Sequence, residues 1–290
     1  PRLNTSMTIR LLPRFVSCFC VMAISTSASF AVEIIGHRGA SHDAPENTLS
    51  SFKLGYKQSA DGDELDIHLS RDGKLVIMHD FETKRTAGVD GKISEMTFKE
   101  LRALNVGQWG DWKGRGFDEK IPSLAEAIAL IPDGKKFFLE IKCHDGNPAE
   151  QERTINQTLP AMEKVLKKSR KTPLQTPLIT FQFEVAKAAK QRMGEHEVYW
   201  LVGWAKDKKT GEFPKIDALI AKTREAKLDG LDLNSGFPID KEFVKKVHDA
   251  GLKLYTWTVD DAALARTEAE AGVDGITTNR PEWLRAELKK

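Results

Sequence analysis

Short apolar runs alternate with longer amphipathic ones from residue 33 onward, and this rhythm constrains the fold more than any other feature. Apolar runs of strand length occur at 33–37, 63–69, 136–141, 178–181, 198–202, 230–233, 252–259 and 275–278. Helical patterns separate them: one opened by Pro45-Glu46-Asn47-Thr48, then 122–130, 150–168, 184–193, 216–226, 241–250, 261–271 and 281–288. Strands that alternate with helices imply a parallel sheet, because parallel neighbours need a crossover. About eight such units in a segment of ~250 residues point to a (β/α)8 barrel, the TIM barrel. A doubly wound open sheet is the other topology with this rhythm. Its usual glycine fingerprint does not follow the first strand. Arg71-Asp72-Gly73-Lys74 reads as a turn that returns 75–78 as a hairpin arm. Residues 80–120 break the rhythm and read as a small irregular insertion after the second strand.

The first 31 residues stand apart. Arg10 and Arg14 precede an uncharged run over 15–32, and small residues end it at Ser29-Phe30-Ala31. That order is expected of a secretory signal, so 1–31 is read as a signal peptide and 32–290 as the mature barrel domain. The mature form is expected to have no stable membrane span and to be exported, periplasmic or secreted. Cys143 is the one cysteine beyond residue 31, so the mature chain has neither an internal disulfide nor zinc spacing. The 290 residues carry 44 basic and 42 acidic side chains. Arg2, Arg10 and Arg14 lie in 1–31 with no acid, which leaves one more acid than base beyond it. No net basic field exists to hold nucleic acid. An anionic substrate must be met by local charge.

In a barrel of this kind the chemistry sits at the C-terminal ends of the strands. His37-Arg38 ends the first. The second carries Glu64, Asp66 and His68 on one face, by the period of two. The hairpin arm ends at His79-Asp80, the third strand offers Glu140 and Lys142, and the seventh offers Trp257. Three carboxylates at one mouth repel one another unless cations sit among them. Lys142 and Arg38 would make a purely structural charge network. A hard divalent cation would use the same oxygens as ligands. Both readings stand on spacing alone. Two histidines at the same mouth suit acid–base work.

Gly36-His37-Arg38-Gly39-Ala40 with Pro45-Glu46-Asn47-Thr48 resembles the signature of glycerophosphodiester phosphodiesterases. Four further blocks are similar to that family in the same order: Glu64-Leu65-Asp66, Asp72-Gly73 with His79-Asp80, Leu139-Glu140-Ile141-Lys142, and Tyr255-Thr256-Trp257-Thr258-Val259 with Gly272-Val273-Asp274-Gly275-Ile276. The resemblance implies a TIM barrel that hydrolyses glycerophosphodiesters to glycerol 3-phosphate and an alcohol. It implies His37 and His79 as the acid–base pair. Glu64, Asp66 and Glu140 would be ligands of one divalent cation, Mg²⁺ or Ca²⁺. Arg38 and Lys142 would bind the phosphate and Trp257 would wall the glycerol pocket. Asn279 departs from the family, whose members commonly have Asp there. A barrel phospholipase acting on intact lipid, and a non-catalytic barrel that binds glycerol phosphates, are the competing functions. His68 is left open as a supporting residue. His42 and His144 read as loop residues, His196 and His248 as surface, and Cys143 as packing.

Overall fold

The structure, a computed structural model, describes residues 2–3, 32–144 and 146–290. The expected signal peptide, apart from its residues 2–3, lies outside the described residues. Val32–Lys290 forms one compact unit. Nine strands are present in it: β1 Glu33–Gly36, β2 Gly62–Leu69, β3 Leu75–Ile77, β4 Lys136–Ile141, β5 Leu178–Thr180, β6 Val198–Val202, β7 Gly230–Asn234, β8 Lys253–Trp257 and β9 Gly275–Thr278. Eight of them pair in parallel in the order β1, β2, β4, β5, β6, β7, β8, β9, and β9 closes onto β1. The barrel expected from the rhythm is therefore observed. β3 lies antiparallel on the outer end of β2, with Ile67 opposite Ile77 and Leu69 opposite Leu75. Among the described residues no helix is long and apolar enough to cross a membrane.

The strands are buried on both faces, which is why they read as continuous apolar runs. Leu65, Ile67, Phe137, Leu139 and Ile141 face the helices. Ile35, Phe138, Ile179, Tyr199, Leu201 and Tyr255 pack inside the barrel as one cluster. Below this cluster the Tyr255 hydroxyl donates to Glu33 at 3.0 Å and the Tyr199 hydroxyl to Glu197 at 2.9 Å. Lys136 pairs with Glu33 at 2.7 Å and Lys253 with Glu197 at 2.6 Å. Rings and ion pairs thus seal the end of the barrel opposite the strand C-termini.

Two expectations change. The segment 80–120 is irregular over most of its length but is not without order: it holds the short helices Lys84–Ala87 and Phe98–Ala103. Val76, Met78, Ile93, Leu101, Val106 and Ile121 give it a small core of its own. Helices this short carry no legible period, and only the Thr97/Glu100 capping box marks one of them. His196 is buried, not on the surface, with its ring against the Thr176 hydroxyl at 3.1 Å. The helix expected over 150–168 runs from Pro148 to Lys168 with a wide turn at Thr154–Thr158. That turn lies just ahead of Pro160, whose nitrogen has no proton to donate.

Asp63 is a cost inside this core. It alternates away from the barrel lumen, is fully buried, and no donor reaches either carboxylate oxygen. A Cβ at Gly55 would stand 2.1 Å from its Oδ1, so the helix Leu49–Lys57 approaches β2 only through that glycine. Burial pushes the Asp63 carboxyl well above its ordinary value. A raised carboxyl costs nothing in acid, and the penalty grows as pH rises above the unfolded value near ~3.9. Asp63→Val is expected to stabilise the fold at pH 7 by about 1–3 kcal/mol. The melting temperature should rise by several degrees, with the gain shrinking toward pH 4. Unchanged melting at pH 7 would contradict this account.

Candidate active site

The family-like blocks become geometry at the strand C-termini. Arg38 takes a left-handed backbone conformation, φ 54°, and this turns its N–H onto Glu64 Oε2 at 3.0 Å. Gly39 follows at φ 83°, where a Cβ would strike the backbone of Ser51 at 2.6 Å. Each residue of Pro45-Glu46-Asn47-Thr48 then has a task. The Pro45 carbonyl accepts the Thr48 hydroxyl at 2.7 Å, and Thr48 caps the helix Leu49–Lys57 by accepting from Ser51 N. Glu46 accepts from Arg38 at 2.9 Å. Asn47 clamps Asp66 from both sides: its amide donates to Oδ2 at 2.7 Å, and its carbonyl accepts the Asp66 N–H at 3.3 Å.

β2 and β4 bring Glu64, Asp66 and Glu140 together, all buried, with carboxylate oxygens within 4.8 Å of one another. Lys142 lies 2.8 Å from Glu140 and 3.1 Å from Asp66. Arg38 Nε lies 3.4 Å from Asp66. Burial alone would raise Asp66, but Lys142 and Arg38 hold it far below the carboxylate range. Glu64 is pushed well up by burial and then by its two acidic neighbours. Burial raises Glu140 to about 7 against the pull of Lys142. Glu64 Oε1 is buried and receives no hydrogen bond. Hard oxygen donors, an orphaned buried oxygen and a shortage of positive charge fit a divalent cation. The triad is able to hold a metal ion.

Two imidazoles flank the triad, and they are held differently. His37 Nδ1 lies 2.7 Å from Asn279 Oδ1. The Asn279 amide nitrogen donates to Asp260 Oδ2 at 2.5 Å, so Oδ1 is the acceptor and His37 carries its proton on Nδ1. Its Nε2 is left as a base. Burial, then Arg38, lowers His37 to about 4. His79 Nδ1 lies 2.7 Å from Asp80 Oδ1, a carboxylate that Arg85 holds at 2.7 Å. Burial lowers His79 too, opposed by Asp66 and by the Asp80 hydrogen bond. Arg85 also forks onto Glu46 and lies 4.9 Å from the Trp109 ring, so the inserted segment helps to hold His79. His68 supports from behind, with Nε2 3.2 Å from the His79 carbonyl.

A small pocket of about 80 Å³ collects these groups with Trp257. Trp257 Nε1 donates to the Asp232 carbonyl at 3.1 Å, and Phe181 meets its ring edge-on at 5.3 Å. A larger cavity of about 940 Å³ adjoins it, and His79 and Lys142 line both. His144 is exposed and stacks on Phe81 in the wall of the larger one.

Each sequence-predicted site residue, His37, Arg38, Glu64, Asp66, His79, Glu140, Lys142 and Trp257, lines the small pocket or touches a group that does. Sequence reasoning missed Asp232, Asp80 as a partner of His79, Arg85, and the clamp made by Asn47. The parity of β7 carries the signal for Asp232: it alternates with the outward Leu231 and Leu233.

Cationic and acid–base groups around a carboxylate triad, all at one barrel mouth, define an enzyme built to act on an anionic ester. The chain belongs to the glycerophosphoryl diester phosphodiesterase family, whose pattern it matches over residues 37–283. It is 31% identical over 252 residues to a glycerophosphodiester phosphodiesterase of Caldanaerobacter subterraneus subsp. tengcongensis, covering 87% of this chain and 95% of that one. A phosphodiesterase of Oleispira antarctica, solved with the product sn-glycerol-3-phosphate, is similar at 30% identity and a TM-score of 0.76, over 90% of this chain and 98% of the other. A Silicibacter pomeroyi structure shares the fold at a TM-score of 0.79 and 24% identity, over 89% and 93% of the two chains.

Proposed function

We propose that this chain hydrolyses glycerophosphodiesters to sn-glycerol 3-phosphate and an alcohol, with His37 and His79 as base and acid. The carrying observation is the unequal backing of the two imidazoles across one anion-binding pocket. The neutral amide of Asn279 leaves His37 uncharged, with Nε2 free to take the proton of the attacking oxygen. That oxygen belongs either to water, or to the substrate's own 2-hydroxyl, in which case the cyclic phosphate formed as the alcohol leaves is opened by water to glycerol 3-phosphate. The Asp80 carboxylate stabilises an imidazolium at His79, which then protonates the departing alcohol. His79 stands where the small pocket meets the larger cavity, so the alcohol is assigned to the larger space. Arg38 offers the phosphate a planar fork and Lys142 a point charge. Glu64, Asp66 and Glu140 would hold Mg²⁺ or Ca²⁺, which when bound supplies charge neutralisation for the phosphoryl oxygens. Trp257 walls the glycerol end. The arginines ahead of the uncharged run over 15–32 support export to a periplasm or the medium.

The test is release of glycerol 3-phosphate from glycerophosphocholine, glycerophosphoethanolamine and glycerophosphoglycerol by purified protein. Chelation is expected to abolish turnover and one of the two ions to restore it, with Glu64→Ala inactive under every condition. Folded protein that stays inactive with each ion would overturn the assignment.

A further inference from the structure

Asp232 is the one acidic side chain lining the small pocket that has no evident task. β7 turns Leu231 and Leu233 into the outer core and Asp232 into the lumen, where it is 2% exposed. Its Oδ1 is buried and has no hydrogen-bond partner. Its carboxyl lines the pocket with His37, Glu140 and Trp257. In the closed sheet β7 stands four places from β2 in either direction, so Asp232 faces the triad strand from across the barrel. Beside it stand the Trp257 ring and the apolar Leu201 and Ile179.

An unsatisfied carboxyl in such a place is a recurring cost unless something pairs with it. Among the described residues no cation pairs with that oxygen. An unpartnered carboxyl oxygen accepts the O–H of an alcohol, and a protonated carboxyl can donate in return. Phosphate, being anionic and bonded through acceptors, belongs with Arg38 and Lys142. What remains of a glycerol phosphate is a short polyol, apolar along its carbons and polar at its hydroxyls.

We propose that Asp232 is a specificity-determining residue that hydrogen-bonds a free hydroxyl of the glycerol moiety across the pocket from the carboxylate triad. This deepens the proposed function and rests on it. It makes the pocket selective for a hydroxylated three-carbon group: an aliphatic chain of equal length would leave Asp232 unpaired on binding.

The experiment measures two things on wild type, Asp232→Leu, Asp232→Ala and Asp232→Asn. The first is binding of sn-glycerol 3-phosphate by titration calorimetry. The second is kcat and KM for glycerophosphoethanolamine, together with binding of the two deoxy analogues of the product, the monophosphates of propane-1,3-diol and propane-1,2-diol, which lack the 2-hydroxyl and the terminal hydroxyl in turn. Loss of a buried hydrogen bond predicts roughly ten- to hundredfold weaker product binding in the Leu and Ala variants. The kinetic loss should fall mainly on KM, and binding discrimination against the deoxy analogue that lacks the bonded hydroxyl should collapse toward one. The Asn variant keeps a donor and an acceptor and should retain most of both. Both apolar variants are expected to melt no lower than wild type, because they remove an unpaired buried group. If they bind product and discriminate as wild type does, the inference is overturned. If wild type binds glycerol 3-phosphate but never turns over, the diesterase reading fails while the calorimetric ratio still decides the role of Asp232. If wild type does not bind it, both fail.

Discussion

With His79 replaced by Ala, kcat on glycerophosphocholine is expected to fall by ~10²–10⁴, the range of a single positioned proton donor. The same variant should lose far less on a p-nitrophenyl phosphodiester. An alkoxide leaves poorly without a proton, whereas a nitrophenolate leaves without one. His37→Ala should fall equally on both substrates, because proton removal from the attacking oxygen is needed whatever leaves. The contrast rests on geometry. His79 is held by Asp80, which Arg85 holds in turn, while His37 is held by the uncharged Asn279 amide. Comparison of kcat ratios across the two substrates decides it. Equal losses in both variants on both substrates would remove the acid and base assignments.

Lys142→Met should cost the metal-free protein about 3–5 kcal/mol, the range for breaking a buried ion pair from one side. The ammonium lies within 3.1 Å of Asp66 and 2.8 Å of Glu140, and the Asp66 side chain is 1% exposed. Methionine fills similar space and returns no charge. The pH dependence has a definite sign. Asp66 is depressed in the folded wild type, so its contribution is present above the unfolded value near ~3.9 and fades as pH falls through the lower folded one. Without Lys142 that contribution is lost at neutral pH, and the two proteins should converge in strong acid. Thermal melts in chelator at pH 7 and near pH ~2 test this. A variant as stable as wild type at pH 7 would show that Arg38 alone neutralises the cluster.

The barrel was legible because its strands are apolar on both faces and its helices long enough to show a period. Boundaries agree to within a residue or two for most elements: Lys136–Ile141, Val198–Val202 and Gly275–Thr278 end where the pattern ends. Within residues 80–120 the helices Lys84–Ala87 and Phe98–Ala103 went unread because they are too brief for periodicity to register. At the site, period two alone put Glu64 with Asp66 and Glu140 with Lys142. Their meeting across two strands follows from the parallel register that sets Asp66 opposite Glu140. Contacts between distant segments were not legible. Arg85 reaches Asp80 and Glu46 from the insertion, and Asn279 reaches His37 across 242 positions of sequence. Asp232 was hidden for another reason: in an apolar strand of a barrel, one acid looks like an accident until its neighbours are known.

The rings of Phe138, Tyr199 and Tyr255, underlaid by the Glu33–Lys136 and Glu197–Lys253 pairs, make the barrel a cul-de-sac. Reactant and both products share a single doorway. With the glycerol end in the small pocket as proposed, glycerol 3-phosphate is expected to outstay the alcohol, giving turnover a fixed sequence of exits. Such an order predicts inhibition by glycerol 3-phosphate that competes with fresh substrate. Throughput is then governed by how quickly the surroundings carry glycerol 3-phosphate away.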